Sequence, residues 1–176
     1  MADQQSSGRR PASRAEAATL ASPVRLRIIR LTAKRALTNK EIAQRLGKDP
    51  ATTLYHVRKL VQHGFLVAQP ARTGARGAKE IPYLGTGLSW RLAWRRAGGP
   101  DYREEIAQAI LAAYLEEVAD VGVGDLDQAR LITQLDDEGL AEFARRMGAL
   151  LNEFADRPPK PGSRDVGVYV SWYPSR

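Results

Sequence analysis

The residues best suited to chemistry with another molecule lie between Pro50 and His63. If this stretch is helical, Ala51, Tyr55, Arg58 and Gln62 run along one side, with Thr52 and Lys59 beside them and Leu54 at one end. Side chains three and four apart are neighbours on a helix surface, so these groups form one face. An Arg guanidinium pairs bidentately with a guanine edge, and the methyls of Thr, Ala or Leu meet a thymine methyl. Tyr55 and Arg58 are the leading base-edge candidates, with Ala51, Thr52 and Lys59 around them. A second set of groups suits phosphate. Thr38 and Lys40 stand where a helix begins, and helix N-termini favour anions. Arg72, Arg76 and Lys79 punctuate a Gly-rich loop and are placed to touch backbone or minor groove. Such charges feed the salt dependence of binding rather than sequence choice.

Other chemistries are poorly served. The chain has 176 residues, two His and no Cys, which removes disulfides, thiolate metal sites and cysteine nucleophiles. Val121 to Gly124 (VGVG) and Gly74 to Lys79 (GARGAK) lack the ending or the spacing of a phosphate-binding loop. Asp136, Asp137 and Glu138 resemble an acid pair, but a capped helical first turn explains them as well. With no partnered His, Cys or Ser constellation, the expectation is a non-enzyme without cofactor or metal.

Charge separates the chain into halves. Residues 1–98 carry 19 Lys/Arg against 5 Asp/Glu, whereas residues 99–176 carry 8 against 15. A basic half suits a polyanion; a solvated surface is the plainer reading of the same charge. At 43% apolar and 27% charged, the composition is that of an ordinary globular protein. No apolar run approaches the ~18 residues of a membrane span, and Met1 to Arg14 lacks the apolar centre of a signal peptide, so a cytoplasmic location without membrane contact is expected.

The elements that must position these groups follow from caps and periodicity. Residues 1–14 read as a disordered arm, either a passive tail or one placing Arg9, Arg10 and Arg14 on phosphates. Ser22-Pro23 opens a helix, the hydroxyl capping and the proline fitting the first position, with Val24, Ile28 and Leu31 at helical spacing. Thr38 to Glu41 is a capping box leading into Ile42, Ala43 and Leu46, and Gly47 ends that helix. After the turn Lys48-Asp49, a helix over 50–63 is anchored by Val57, Leu60 and Val61. Two short helices around a Gly-containing turn are a helix-turn-helix pattern. Phe65 to Val67 and Ile81 to Leu84 are short apolar runs flanking the basic loop 70–80, which makes a β-hairpin with a basic tip. Helices followed by such a hairpin are a winged helix, assigned to residues 15–97.

Leu20 to Ile29 (LASPVRLRII) and Thr52 to Gly64 (TTLYHVRKLVQHG) resemble the opening helix and the recognition helix of ArsR-type winged-helix transcription regulators. The resemblance spans about residues 18–86. It implies a DNA-binding regulator of the repressor type acting as a homodimer, with His56 structural, at a position where the family commonly has His. The family's metal-sensing members use Cys motifs that this chain lacks.

Residues 98–176 are read as a companion region. Trp90 to Arg96 form an amphipathic connector, broken at Gly98-Gly99-Pro100. From Asp101 to about Val121, Tyr102, Ile106, Ala109, Ile110, Ala113, Tyr114 and Val118 recur at helical spacing. The resemblance assigns dimerisation to this helix, through Tyr102, Ile106, Ile110, Ala113 and Tyr114; packing on its own domain is the alternative. Residues 129–135 are read as a strand, Asp136 caps a helix bearing Leu140, Phe143, Met147, Leu150, Leu151 and Phe154, and residues 166–173 alternate as a second strand. The expected fold class is therefore α+β: a winged helix-turn-helix, a dimerisation helix and a small β-α-β domain. Trp172, Tyr169, Phe143 and Met147 either line a pocket for a small-molecule effector or make plain core. The leading functional expectation is a dimeric regulator binding double-stranded DNA. The competing one, of a different class, is a winged-helix protein-interaction module without sequence-specific DNA binding.

Overall fold

Three helices, each started by a side chain that satisfies its orphan amides, carry the first part of the computed structural model, which describes residues 9–74, 77–93 and 101–174. Helix α1 (Arg14–Leu20) begins at a reciprocal capping box between Ser13 and Glu16. Helix α3 (Asn39–Leu46) begins at the box between Thr38 and Glu41 and ends at Gly47, whose φ of 61° is left-handed. Helix α4 (Pro50–Gln62) is capped by Asp49. Helix α2 (Pro23–Leu31) starts with Pro23 at its first turn, but the Ser22 hydroxyl makes no capping bond, contrary to expectation. Arg25 instead closes the preceding helix, donating to the carbonyls of Thr19 and, at 3.0 Å, Ala18.

Strand β2 (Leu37–Thr38), β3 (Leu66–Ala68) and β6 (Pro82–Gly85) make an antiparallel sheet in the order β2-β6-β3, with Leu37 opposite Tyr83 and Val67 opposite Leu84. Between β3 and β6 the chain makes a smaller hairpin of β4 (Arg72–Thr73) and β5 (Lys79–Glu80). The expected wing is therefore present, with its own two-stranded tip. Leu20, Ile28, Leu37, Ile42, Leu46, Val57, Leu60, Phe65, Leu66 and Leu92 form one core beneath it. Val61, expected as an anchor, is exposed, and Thr53 occupies the inward position instead. A buried Thr is tolerated there because its hydroxyl donates to the Asp49 carbonyl at 2.9 Å.

Of the disordered arm expected to Arg14, residues 1–8 lie outside the described residues, whereas residues 9–14 are held in place. Strand β1 (Arg10–Pro11) pairs in parallel with β7 (Leu92–Ala93), the Arg9 guanidinium lies 4.5 Å over the Trp90 ring, and Arg10 Nη1 donates to Glu16 at 3.0 Å. The signal was the Ser13-Arg14-Ala15-Glu16 capping box, which ends the arm before a helix begins. The Arg10 hydrogen bond, with lesser help from the Ser13 backbone and hydroxyl, lowers the Glu16 carboxyl from 4.5 to about 2 against the opposing effect of burial. A depressed carboxylate contributes stability that is present above its unfolded value and lost as pH falls through its folded one. Fluorescence of Trp90 is therefore expected to report release of the arm as pH drops from about 4.5 towards 2, and E16Q is expected to abolish that step. A step unchanged in E16Q would assign it to another group.

The chain divides into two compact units, Gly8–Gly124 and a second built on Asp125–Arg176. Helix α5 (Arg103–Val121) belongs to the first. It packs on α2 through Ile106, Ala109 and Ala113, and its acidic residues meet arginines of α2: Arg27 binds Glu116 at 2.9 Å and also Asp120, and Arg30 binds Glu117. Burial raises the Glu117 carboxyl while Arg30 and then Arg27 pull it down. In the second unit the expected β-α-β arrangement is absent. Helix α6 (Asp137–Ala155) forms behind its Asp136 cap, but 129–135 and 166–173 have no ladder partner and run as irregular segments. Alternating side chains set a strand's faces, but a strand also needs a neighbouring backbone, and none is supplied among the described residues.

Candidate nucleic-acid interface

Helix α4 has 13 residues, a length of about 20 Å, enough to cross a major groove. Thr53, Val57 and Leu60 are buried beneath it, which fixes its rotation. Ala51, Thr52, Tyr55 and Arg58 are consequently exposed on the other side, Tyr55 at 57%, while Leu54 and Lys59 are half-buried. Of the proposed base-reading group, all but Lys59 thus share a solvent face, and Lys59 lies at its margin. His56 stands edge-on to the Tyr55 ring, with centroids 5.4 Å apart. Its Nδ1 is buried without a partner, and burial first, then Arg25 and Lys48, lowers its pKa, so the imidazole is held neutral behind the tyrosine.

The amides at the helix starts are less free than expected. Asp49 Oδ1 accepts from both Ala51 N and Thr52 N at 2.9 Å, and these bonds lower its pKa, that from Thr52 most. Asp49, expected in the turn, is the N-cap of α4, and an Asp directly before Pro50 is the sequence signature of that role. Thr38 is buried, its hydroxyl accepting from Glu41 N at 3.3 Å while Glu41 Oε2 accepts from Thr38 N at 2.7 Å. Thr38 is therefore a cap whose hydroxyl is already engaged, whereas Lys40 is exposed next to it. Asn39 ties the two helices, donating from Nδ2 to the Pro50 carbonyl at 2.8 Å.

On the wing, Lys79 is exposed and Arg76 lies outside the described residues. Arg72 is held by carboxylates: Nη2 binds Glu41 Oε1 at 2.8 Å, and Nε lies 3.9 Å from Glu80. Glu41 carries both a cap and an ion pair, a double role that one-dimensional reading assigns only by half.

The proposed dimerisation residues divide. Ile106 and Ala113 are buried against α2, Tyr102 and Tyr114 are half-buried, and Ile110 is exposed together with Leu111 and Leu115. In the second unit Phe143 and Trp172 meet edge to face, 5.4 Å apart, but Trp172 is exposed and no residue of α6 is fully buried. An open depression of about 470 Å³ is lined by Asp101, Arg103, Glu104, Glu105 and Ala107, and by none of the four residues proposed around an effector. Among the described residues, no three of His, Cys, Asp or Glu gather as a metal site, and no helix is long and apolar enough to cross a membrane.

No curated protein matches the chain. Among solved structures, a mutant of Lactococcus lactis ZitR is similar at 19% identity, covering 76% of this chain and 75% of that one with a TM-score of 0.34. The zinc-dependent MarR family transcriptional regulator AdcR in its Zn(II)-bound state is similar at 23% identity, covering 75% and 74%, with a TM-score of 0.32. Likeness at this level carries no functional statement. The local match is of another kind: residues 20–68, which hold α2, α3, α4 and the first strand of the wing, match the family model of a helix-turn-helix domain.

Proposed function

We propose that the protein is a cytoplasmic, sequence-specific DNA-binding transcription regulator of the ArsR type, acting as a homodimeric repressor on double-stranded DNA. The observation that carries this reading is the outward face of α4, where Ala51, Thr52, Tyr55 and Arg58 stand exposed on a helix whose opposite side is locked into the core. The helix-turn-helix match over 20–68 supports it, as does a wing carrying Lys79. Tyr55 and Arg58 read base edges, with Ala51 and Thr52 against thymine methyls, while Lys40, Lys59, Lys79 and Arg76 contact phosphates. Two copies present two such helices to half-sites about one helical turn apart. The exposed Ile110, Leu111 and Leu115 of α5, with Tyr102 and Tyr114 at their edge, are apolar groups suited to that contact.

The test is binding to the DNA upstream of its own gene against an unrelated duplex, by fluorescence anisotropy from about 50 to 200 mM salt. A preference that survives the higher salt supports the reading. Equal binding that collapses with salt, followed by failure of a genome-wide selection to find a preferred site, rejects sequence-specific recognition. No binding at either salt favours the protein-interaction module instead.

A further inference from the structure

Arg72 has the sequence position of a DNA contact and the surroundings of a brace. It sits at the base of the β4–β5 tip, directly across the ladder from Glu80, and its Nη2 reaches out of the wing to Glu41 on α3. Glu41 is the third residue of that helix, and its other oxygen accepts the Thr38 amide. One carboxylate thus closes the cap and grips the wing. The Thr38 amide, then Arg72, holds its pKa below the ordinary value, so it is charged at neutral pH.

The placement of this charge is informative. The start of α3, beside Lys40, is where a phosphate is expected, and an uncompensated carboxylate there would repel it. A guanidinium between two carboxylates is also poorly available to a phosphate of its own.

Resting on the DNA-binding reading above, we propose that Arg72 is a positioning residue rather than a DNA contact. Through Glu41 it latches the wing to the capped start of α3 and so fixes where Lys79 stands relative to α4. The latch also neutralises Glu41 where DNA approaches.

The substitution E41Q separates the possibilities, because Gln still completes a capping box but cannot make the ion pair. Simple electrostatics predicts that removing a negative charge from a DNA-facing surface raises affinity. The latch predicts the opposite sign. E41Q is expected to lower affinity by about two- to fivefold, the scale of an exposed ion pair. R72A is expected to do the same, and the double variant to be no worse than either alone. In the free protein, hydrogen exchange at the wing amides is expected to quicken in E41Q by a similar factor, with α3 amides unchanged. That readout does not depend on DNA.

Tighter binding by E41Q would overturn the proposal. So would additive losses, with R72A alone lowering the salt slope by about 0.9, the signature of one lost phosphate contact. Unchanged wing exchange in E41Q would overturn it as well. If the wild-type protein binds no DNA while wing exchange still quickens in E41Q, the latch stands as a brace of the wing and the DNA-binding reading is what fails.

Discussion

Replacing Arg58 with alanine is expected to weaken binding to the preferred duplex by about five- to 150-fold, or about 1 to 3 kcal/mol, while leaving the fold intact. Arg58 is exposed on α4 at the same side as Tyr55, so its removal opens no cavity in the core. Its bidentate pairing with a guanine edge would be lost, and discrimination at that base pair should relax with it. K59A provides the contrast, because losing a phosphate contact lowers affinity evenly across sequences and reduces the salt slope. Anisotropy titrations against a panel of single-base-pair variants decide the matter. If R58A loses affinity equally for every variant, Arg58 is a backbone contact and the reading of α4 must be redrawn around Tyr55.

Phe65→Ala should have the largest effect on stability. Phe65 is 1% exposed, stands between α4 and β3, and is the bulkiest fully buried side chain among the described residues. Its carbonyl accepts the Thr86 amide at 3.1 Å, and its own amide donates to the Leu60 carbonyl at 2.9 Å, so it joins the end of α4 to the return of the wing. Truncating a buried Phe costs about 3 to 5 kcal/mol through lost transfer energy and a residual cavity. In a unit of this size that lowers the melting temperature by about 12 °C or more. Calorimetry on the full chain would measure it. A change of only a few degrees would mean that the site collapses around the deletion and that Phe65 is not the joint described here.

Much of the first unit was legible because its signals are local. Capping residues, Gly47 and the apolar spacing of α3 and α4 each act within a few residues, and so survive without knowledge of the rest. Errors arose where a distant partner decides. Val61 has the right spacing to be an anchor, but the core closes around Thr53, whose hydroxyl has a carbonyl within reach. No local spacing pairs Arg27 and Arg30 with Glu116, Asp120 and Glu117, which lie on a helix some ninety positions along the chain. Arg72 reads as a DNA contact from its basic loop, and nothing in that loop announces the pairing with Glu41, 31 residues away. Residues 166–173 alternate and 129–135 read as a strand, but periodicity reports which face an isolated strand would bury and not whether another strand lies beside it.

Helix α6 contains no buried residue, whereas the first unit is organised around a single core. That contrast sets where the sequence is free to drift. Substitutions away from packed or capped positions usually change stability by less than about 0.5 kcal/mol. A saturation mutagenesis scored on folded protein should therefore show tight constraint at Leu20, Ile28, Val57, Leu60 and Phe65, and near-neutral tolerance along 140–154, beyond the cap at Asp136. Scored on DNA binding in the cell, as the proposed function would have it, the same library asks a different question of α6. Intolerance at Leu140, Phe143, Met147, Leu150 and Phe154 in that second screen alone would mark the helix as one whose residues are selected for what the protein does and not for how it holds together.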